Sequence, residues 1–176
     1  IYNGYLLLNN PSARKYPVRG VDVAHYQGEI DWPVLAGEGI TFAYIKATEG
    51  SSHVDHKFAE NWAGVKQTEL IPGAYHFFSF DSPGQTQAAN FMAQVEVLGG
   101  MLPPVMDVEY YGDKPANPPD PEAVRRELRI MLDYLQSHYG TVPVIYSTED
   151  VWELYLKGHF DEYPLWIRNV FQKQRK

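Results

Sequence analysis

From Val18 onward the chain switches repeatedly between two hydrophobic periods. Short runs rich in β-branched and aromatic residues read as strands: 18–26 (VRGVDVAHY), 41–48 (TFAYIKAT), 71–80 (IPGAYHFFSF), 102–111 (LPPVMDVEYY), 142–148 (VPVIYST) and 164–170 (PLWIRNV). Helical patterns fill the gaps between them. Asp31 and Pro33 open a short helix that Gly37 and Gly39 end. Asp55 is placed to cap a helix whose Phe58, Trp62 and Val65 form one stripe. A helix from about Pro83 puts Ala88, Phe91, Met92, Val95 and Leu98 on one face, with Gly99 stopping it. Asp120 and Pro121 open the strongest helix, with Val124, Leu128, Met131, Leu132, Leu135 and Tyr139 as its stripe and Gly140 closing it. A short helix around 149–157 precedes the last strand. Residues 1–17 carry Asn, Pro, Ser and one short Leu run, and are expected to be an N-terminal arm lying on a single domain that spans 18–176.

Regular strand and helix alternation with near-continuous apolar strands predicts a parallel sheet covered by helices. An open doubly wound sheet and a barrel both satisfy it. No glycine-rich phosphate loop follows the first strand, which argues against the nucleotide-binding version. Polar residues recur near strand C-termini (His25, Glu49, His76, Asp107, Glu109 and Tyr146), and a barrel gathers such ends into one mouth. Six strands are fewer than eight. The expected fold is therefore α/β: an irregular, TIM-like β/α barrel of parallel strands that lacks its final strands in this chain.

Composition narrows the function classes. The 176 residues suit one domain with a substantial core. Aromatics make up 14%, including 13 tyrosines and 4 tryptophans, which suits either a large core or a groove stacking on sugar rings. The net charge is −7 and no basic run precedes the QKQRK end, so no nucleic-acid surface is expected. Absence of cysteine excludes disulfides, thiolate metal sites and cysteine nucleophiles. No apolar segment approaches the ~20 residues of a membrane span. The chain opens on Ile1 with no signal peptide, and is expected to begin inside a longer gene product.

The chemistry points to the end of the LPPVMDVEYY strand. Residues two apart on a strand face the same way, so Asp107 and Glu109 share one site. Two close carboxyls do not ionise together easily, and a retained proton is what a general acid needs. A solvated acid pair or a Mg²⁺ site is the alternative; the apolar run before it and Tyr110 and Tyr111 after it favour catalysis. Asp22 and Lys46 each sit inside an apolar strand, so each faces the mouth or the two form a buried ion pair. His25 and His76 lack HxH or HExxH spacing, so neither a catalytic metal nor a cofactor is expected. Ser79 and Ser147 lack a G-x-S-x-G elbow. Tyr75 and Tyr146 are candidate sugar contacts near the mouth, with His76 and Trp166 added as substrate-binding candidates, while Trp152 reads as a core residue.

Six ordered blocks, GVDVAHYQGEIDW, FAYIKATEG, PGAYHFF, LPPVMDVE, PVIYST and YPLWI, resemble glycoside hydrolase family 25, the lysozymes (N-acetylmuramidases) of bacteria, phages and some fungi. The resemblance runs from about Val18 to Val170. It implies an irregular β/α barrel that cleaves the β-1,4 bond between N-acetylmuramic acid and N-acetylglucosamine in peptidoglycan. It implies Glu109 as general acid, with Asp107 and Asp22 shaping the charge around the developing oxocarbenium ion. Peptidoglycan glycan strands are the implied partner, for a monomer acting outside the cell or at the bacterial cell wall. Ala24 stands where many members carry Ser, and the family's fourth acid, after a W-Q-Y block, falls beyond Lys176. A catalytically weak peptidoglycan-binding barrel is the alternative. Carboxyl spacing on one strand leaves retention and inversion both open; a substrate-assisted route, with the 2-acetamido group as nucleophile, is preferred.

Overall fold

A computed structural model describes residues 12 and 14–168. Residues 1–11 and 13 of the predicted arm lie outside the described residues, as does the end of the last predicted strand. Among the described residues seven strands form one sheet: β1 (Gly20–Val23), β2 (Phe42–Glu49), β3 (His53–Val54), β4 (Ile71–Phe77), β5 (Val105–Val108), β6 (Val144–Ser147) and β7 (Leu165–Ile167). Their order is β1-β2-β4-β5-β6-β7, with every neighbour on that path parallel and β3 pairing antiparallel with β2. The short β3 carries no periodic apolar signal, and the sequence reading missed it. Five α-helices among the described residues cover the sheet: α1 (Trp32–Gly37), α2 (Phe58–Val65), α3 (Gly84–Gln94), α4 (Pro121–Tyr139) and α5 (Glu149–Val151), the last running on into a wider turn at Trp152–Leu156.

The sheet is curled into an open half-barrel. Tyr44 on β2 and Trp166 on β7 are four strands apart, which in a flat sheet is about 19 Å. Their rings nevertheless lie 5.9 Å apart, centroid to centroid. Among the described residues no ladder joins β7 to β1, so the predicted incomplete barrel describes the architecture.

Strand alternation divides the sheet into two unlike faces. On the convex face Val23, Ala43, Ile45, Ala74, Met106, Val108 and Ile145 are buried in the same core as Phe58, Trp62, Phe91, Leu128, Leu132 and Leu135 from the helices. The concave face carries Asp22, Tyr44, Tyr75, Asp107, Tyr146 and Trp166. An irregularity in β2 between Lys46 and Thr48 shifts the alternation by one residue. Thr48 thereby turns to the helix side with His76, and Glu49 returns beside Lys46, three residues earlier, where the two form a 2.8 Å ion pair. Of the two readings left open for Asp22 and Lys46, the mutual ion pair does not form: Lys46 takes a local partner, and Asp22 faces the cavity.

Helix termini largely follow their capping chemistry. Asp31 and Asp120 accept from the backbone N–H three residues on, and Gly140 closes α4 in the left-handed conformation. Two expectations change. Asp55 does not cap α2: Lys57 holds that position, and the Asp55 carboxylate instead accepts from the backbone N–H of His25 and of Lys57. Helix α3 ends at Gln94, before Gly99, with Val95 in extended conformation; Val95 and Leu98 still pack on the core from the following segment.

Gly84 begins α3 against α4. A Cβ there would lie 1.9 Å from the backbone oxygen of Glu127, which no rotamer change relieves. Gly84→Ala is therefore expected to cost about 1–3 kcal/mol by overpacking, read as a lower midpoint in urea unfolding with an unchanged slope.

Candidate active site

The concave face encloses a cavity of about 550 Å³ lined by Asp22, Tyr44, Tyr75, Val105, Asp107, Glu109, Tyr146, Trp166, Ile167 and Arg168. That volume is in the range of small-molecule and sugar clefts. Parallel register explains the assembly. Asp107 pairs across the sheet with Phe77 on one side and Tyr146 on the other, and Tyr146 with Trp166, so all four side chains leave the same face at one level. Asp22 enters from the far edge, in register with Tyr44.

Asp107 and Glu109 reach the cavity together, as their spacing predicts, while Met106 and Val108 point into the helix-side core. Asp107 Oδ1 and Glu109 Oε1 are buried and accept no hydrogen bond. Burial pushes the Asp107 carboxyl well above the usual carboxylate range; Glu109 and Asp22 push it further, while Lys46 and Arg168 oppose them. The Glu109 carboxyl is also raised by burial, with Arg168 and the Tyr146 hydroxyl holding it down. Asp22 lines the cavity wall, and partial burial of its carboxyl raises it too, against its backbone hydrogen bond and the charge of Arg168. The pair therefore favours holding a proton between them over double ionisation.

Aromatic walls surround these acids. The Tyr44 hydroxyl donates to Pro103 O at 3.1 Å, and burial raises its pKa to about 12. Tyr75 and Tyr146 are raised further, by burial first and then by the nearby carboxylates, so both remain neutral hydrogen-bonding groups. Trp166 packs edge-on against Tyr146 at 5.2 Å. The loop after β5 is fastened at the same end: the Tyr111 hydroxyl donates to Asp81 and accepts from the Phe80 N–H, and Lys114 pairs with Asp81 at 2.6 Å.

His76 does not belong to this set. It alternates with Tyr75 and Phe77 on β4, so it faces the helices, fully buried. Its Nδ1 lies 2.7 Å from Thr48 Oγ1 and its Nε2 3.1 Å from Gln87 Oε1, and burial lowers its pKa to about 4. It is a neutral structural group joining β4 to α3, and the expected substrate contact is corrected accordingly. The period-two rule already forbade Tyr75 and His76 from sharing a face.

Arg168 went unremarked in the sequence reading. It extends the β7 alternation two residues past Trp166, and its guanidinium stands 3.6 Å from Glu109 Oε1, an ion-pair contact rather than a hydrogen bond. Tyr44 was missed as well, although it is one of the aromatic positions of β2 at even spacing from Lys46.

The family model for glycosyl hydrolases family 25 matches residues 21–176. The chain belongs to this family. A family 25 glycosyl hydrolase from Bacillus anthracis superposes with a TM-score of 0.93 at 44% identity, covering 97% of this chain and 78% of that one. A bacterial lysozyme from Streptomyces coelicolor gives a TM-score of 0.76 at 30% identity, over 85% of this chain and 73% of that one. The Escherichia coli K12 protein YegX is 35% identical over 164 residues, 90% of this chain and 58% of its own length. The family 25 chain thus spans under two thirds of the length of that curated relative.

The raised carboxyl of Asp107 links this site to stability. A carboxyl whose folded pKa lies above its unfolded value stabilises the fold fully below the unfolded pKa, and that contribution is lost as pH rises through the folded value. Asp107→Asn is expected to raise the melting temperature at neutral pH by about 2–4 °C, the scale of 1 kcal/mol in a chain this size. The gain should vanish as pH falls below about 4, where Asp is protonated in both states; differential scanning calorimetry across pH checks it.

Proposed function

We propose that this chain hydrolyses peptidoglycan at the β-1,4 bond between N-acetylmuramic acid and N-acetylglucosamine, with Glu109 as general acid. The supporting observation is the placement of Asp107 on β5 and Glu109 just past its end on the same face, half-buried, each with one buried oxygen that accepts no hydrogen bond and a raised pKa, inside a cleft walled by Tyr44, Tyr75, Tyr146 and Trp166. Membership of the family and likeness to a lysozyme supply the substrate class. The chain acts on glycan strands as a monomer, outside the cell or at the bacterial cell wall, with Tyr75, Tyr146 and Trp166 as sugar contacts.

The chemistry assigned to the site is substrate-assisted. The 2-acetamido oxygen of the muramic residue attacks C1 as the C1–O bond breaks, and the Glu109 proton passes to the leaving oxygen. Asp107 orients the acetamido group and stabilises the charge it gains, and Asp22 adds negative potential near the oxocarbenium-like carbon. Glu109, now ionised, takes a proton from water as that water opens the cyclic intermediate, and the anomeric configuration is retained. Aromatic faces hold the sugar rings and exclude bulk water, which keeps the carboxyl pKa high.

Glu109→Gln is expected to fold normally and to lower reducing-end release from purified peptidoglycan by about 10²–10⁴-fold. Mass spectrometry of products ending in reducing muramic acid from the parent chain alone establishes bond and acid together. Wall binding without release from either protein favours the binding-barrel alternative, and inverted product in early NMR spectra excludes the substrate-assisted route.

Arg168 supplies a second test of the same assignment. Its charge lowers the Glu109 pKa, so Arg168→Met leaves the acid protonated to higher pH. The alkaline limb of the kcat/KM profile should move upward, whereas an unmoved limb assigns the general acid elsewhere.

A further inference from the structure

A second cluster of chemically capable side chains stands at the rim, apart from the carboxyl pair. His25 lies in the single turn His25–Gln27 just past β1, and Asp55 and His56 lie between β3 and α2. Donor atoms of the three residues all fall within 4.8 Å of one another. The Asp55 side chain is wholly buried, the His25 side chain is 24% exposed, and His56 is exposed.

We propose that His25 and His56 form a binding site for a divalent transition-metal ion of the Zn²⁺ type, with Asp55 orienting His25 from behind. His25 Nδ1 lies 2.6 Å from Asp55 Oδ2, which leaves Nε2 as the free ligand atom of that ring. Two ligands of one tetrahedral Zn²⁺ at 2.0–2.1 Å sit about 3.3 Å apart, so the 2.6 Å pair is a hydrogen bond and not two ligands of one ion. A buried carboxylate holding the far nitrogen of a histidine is the recurring support of metal-bound imidazole, fixing its tautomer and raising its basicity. Asp55 already accepts from the N–H groups of His25 and Lys57, so its own position is rigid.

The second imidazole is what a structural clasp alone leaves unexplained. The Asp55–His25 contact by itself joins β1 to the β3–α2 connection, with no use for His56. Yet the His56 ring centroid stands 4.8 Å from that of His25. Two imidazoles bound to one tetrahedral ion have centroids about 5 Å apart, given the usual Zn–N length. Borderline ions that favour imidazole are the fitting class, and water completes the coordination. Such an ion clamps the turn that follows Asp22 to the β3–α2 connection, at the edge of the cleft. The site stands whether or not the glycosidase assignment is right.

Isothermal titration of the tag-free full chain with ZnCl₂ tests it. Saturable binding of one equivalent is expected, weakened at least tenfold in His56→Ala and about 10–100-fold in Asp55→Asn, with His159→Ala unchanged. Zn²⁺ should also raise the melting temperature of the parent and not that of His56→Ala. No saturable binding, or binding that His56→Ala leaves unaltered, overturns the proposal. His56 is exposed, so that variant decides the matter even if Asp55→Asn is too unstable to titrate.

Discussion

Everything in this molecule follows from the constraint that successive residues of a strand face opposite ways, applied to a sheet covered on one side only. On the convex side the alternation delivers Met106, Val108, Ile145 and Ala74 to helices that bury them completely. On the concave side it leaves Asp22, Asp107, Glu109, Tyr75 and Tyr146 around open space. Curling brings the two ends of the sheet together over that space, so residues of β2 and β7 touch. The core supplies the stability, and the concave face is left free for chemistry that a packed core does not permit.

Within the cleft the electrostatics come from burial first and from neighbours second. The acids are crowded enough to raise one another, and two cations of different kind moderate them. Lys46 is buried and held by Glu49 through the irregularity in β2; Arg168 stands at the mouth against Glu109. Removing water raises the carboxyl pKa values, and the cations keep the cleft from losing all its negative charge. Destabilising acids held in place by a well-packed scaffold are the usual signature of a site kept for function.

His76 and Asp55 show how polar residues in the strand ends serve the frame. His76 is neutral, bonded to Thr48 and Gln87, and fastens the edge of β4 to α3. Asp55 gathers backbone donors from two separate segments and holds an imidazole at the cleft rim.

Much of this was legible beforehand. Apolar runs and capping residues gave six parallel strands and the principal helices, because local periodicity and N-cap chemistry are written in adjacent residues. The D-x-E spacing placed Asp107 and Glu109 on one face for the same reason, and the alternation that excludes His76 and includes Arg168 was equally present, though unused. Other features depend on residues far apart in the chain. The slip in β2 that pairs Lys46 with Glu49, the short β3, the early end of α3, and Asp55 turning from helix cap to partner of His25 were decided by packing and hydrogen-bond competition across the fold. Sequence determines which face a side chain takes along a regular strand; only the tertiary structure decides where that alternation slips and what meets each side chain, because those partners are set by sheet register and curvature.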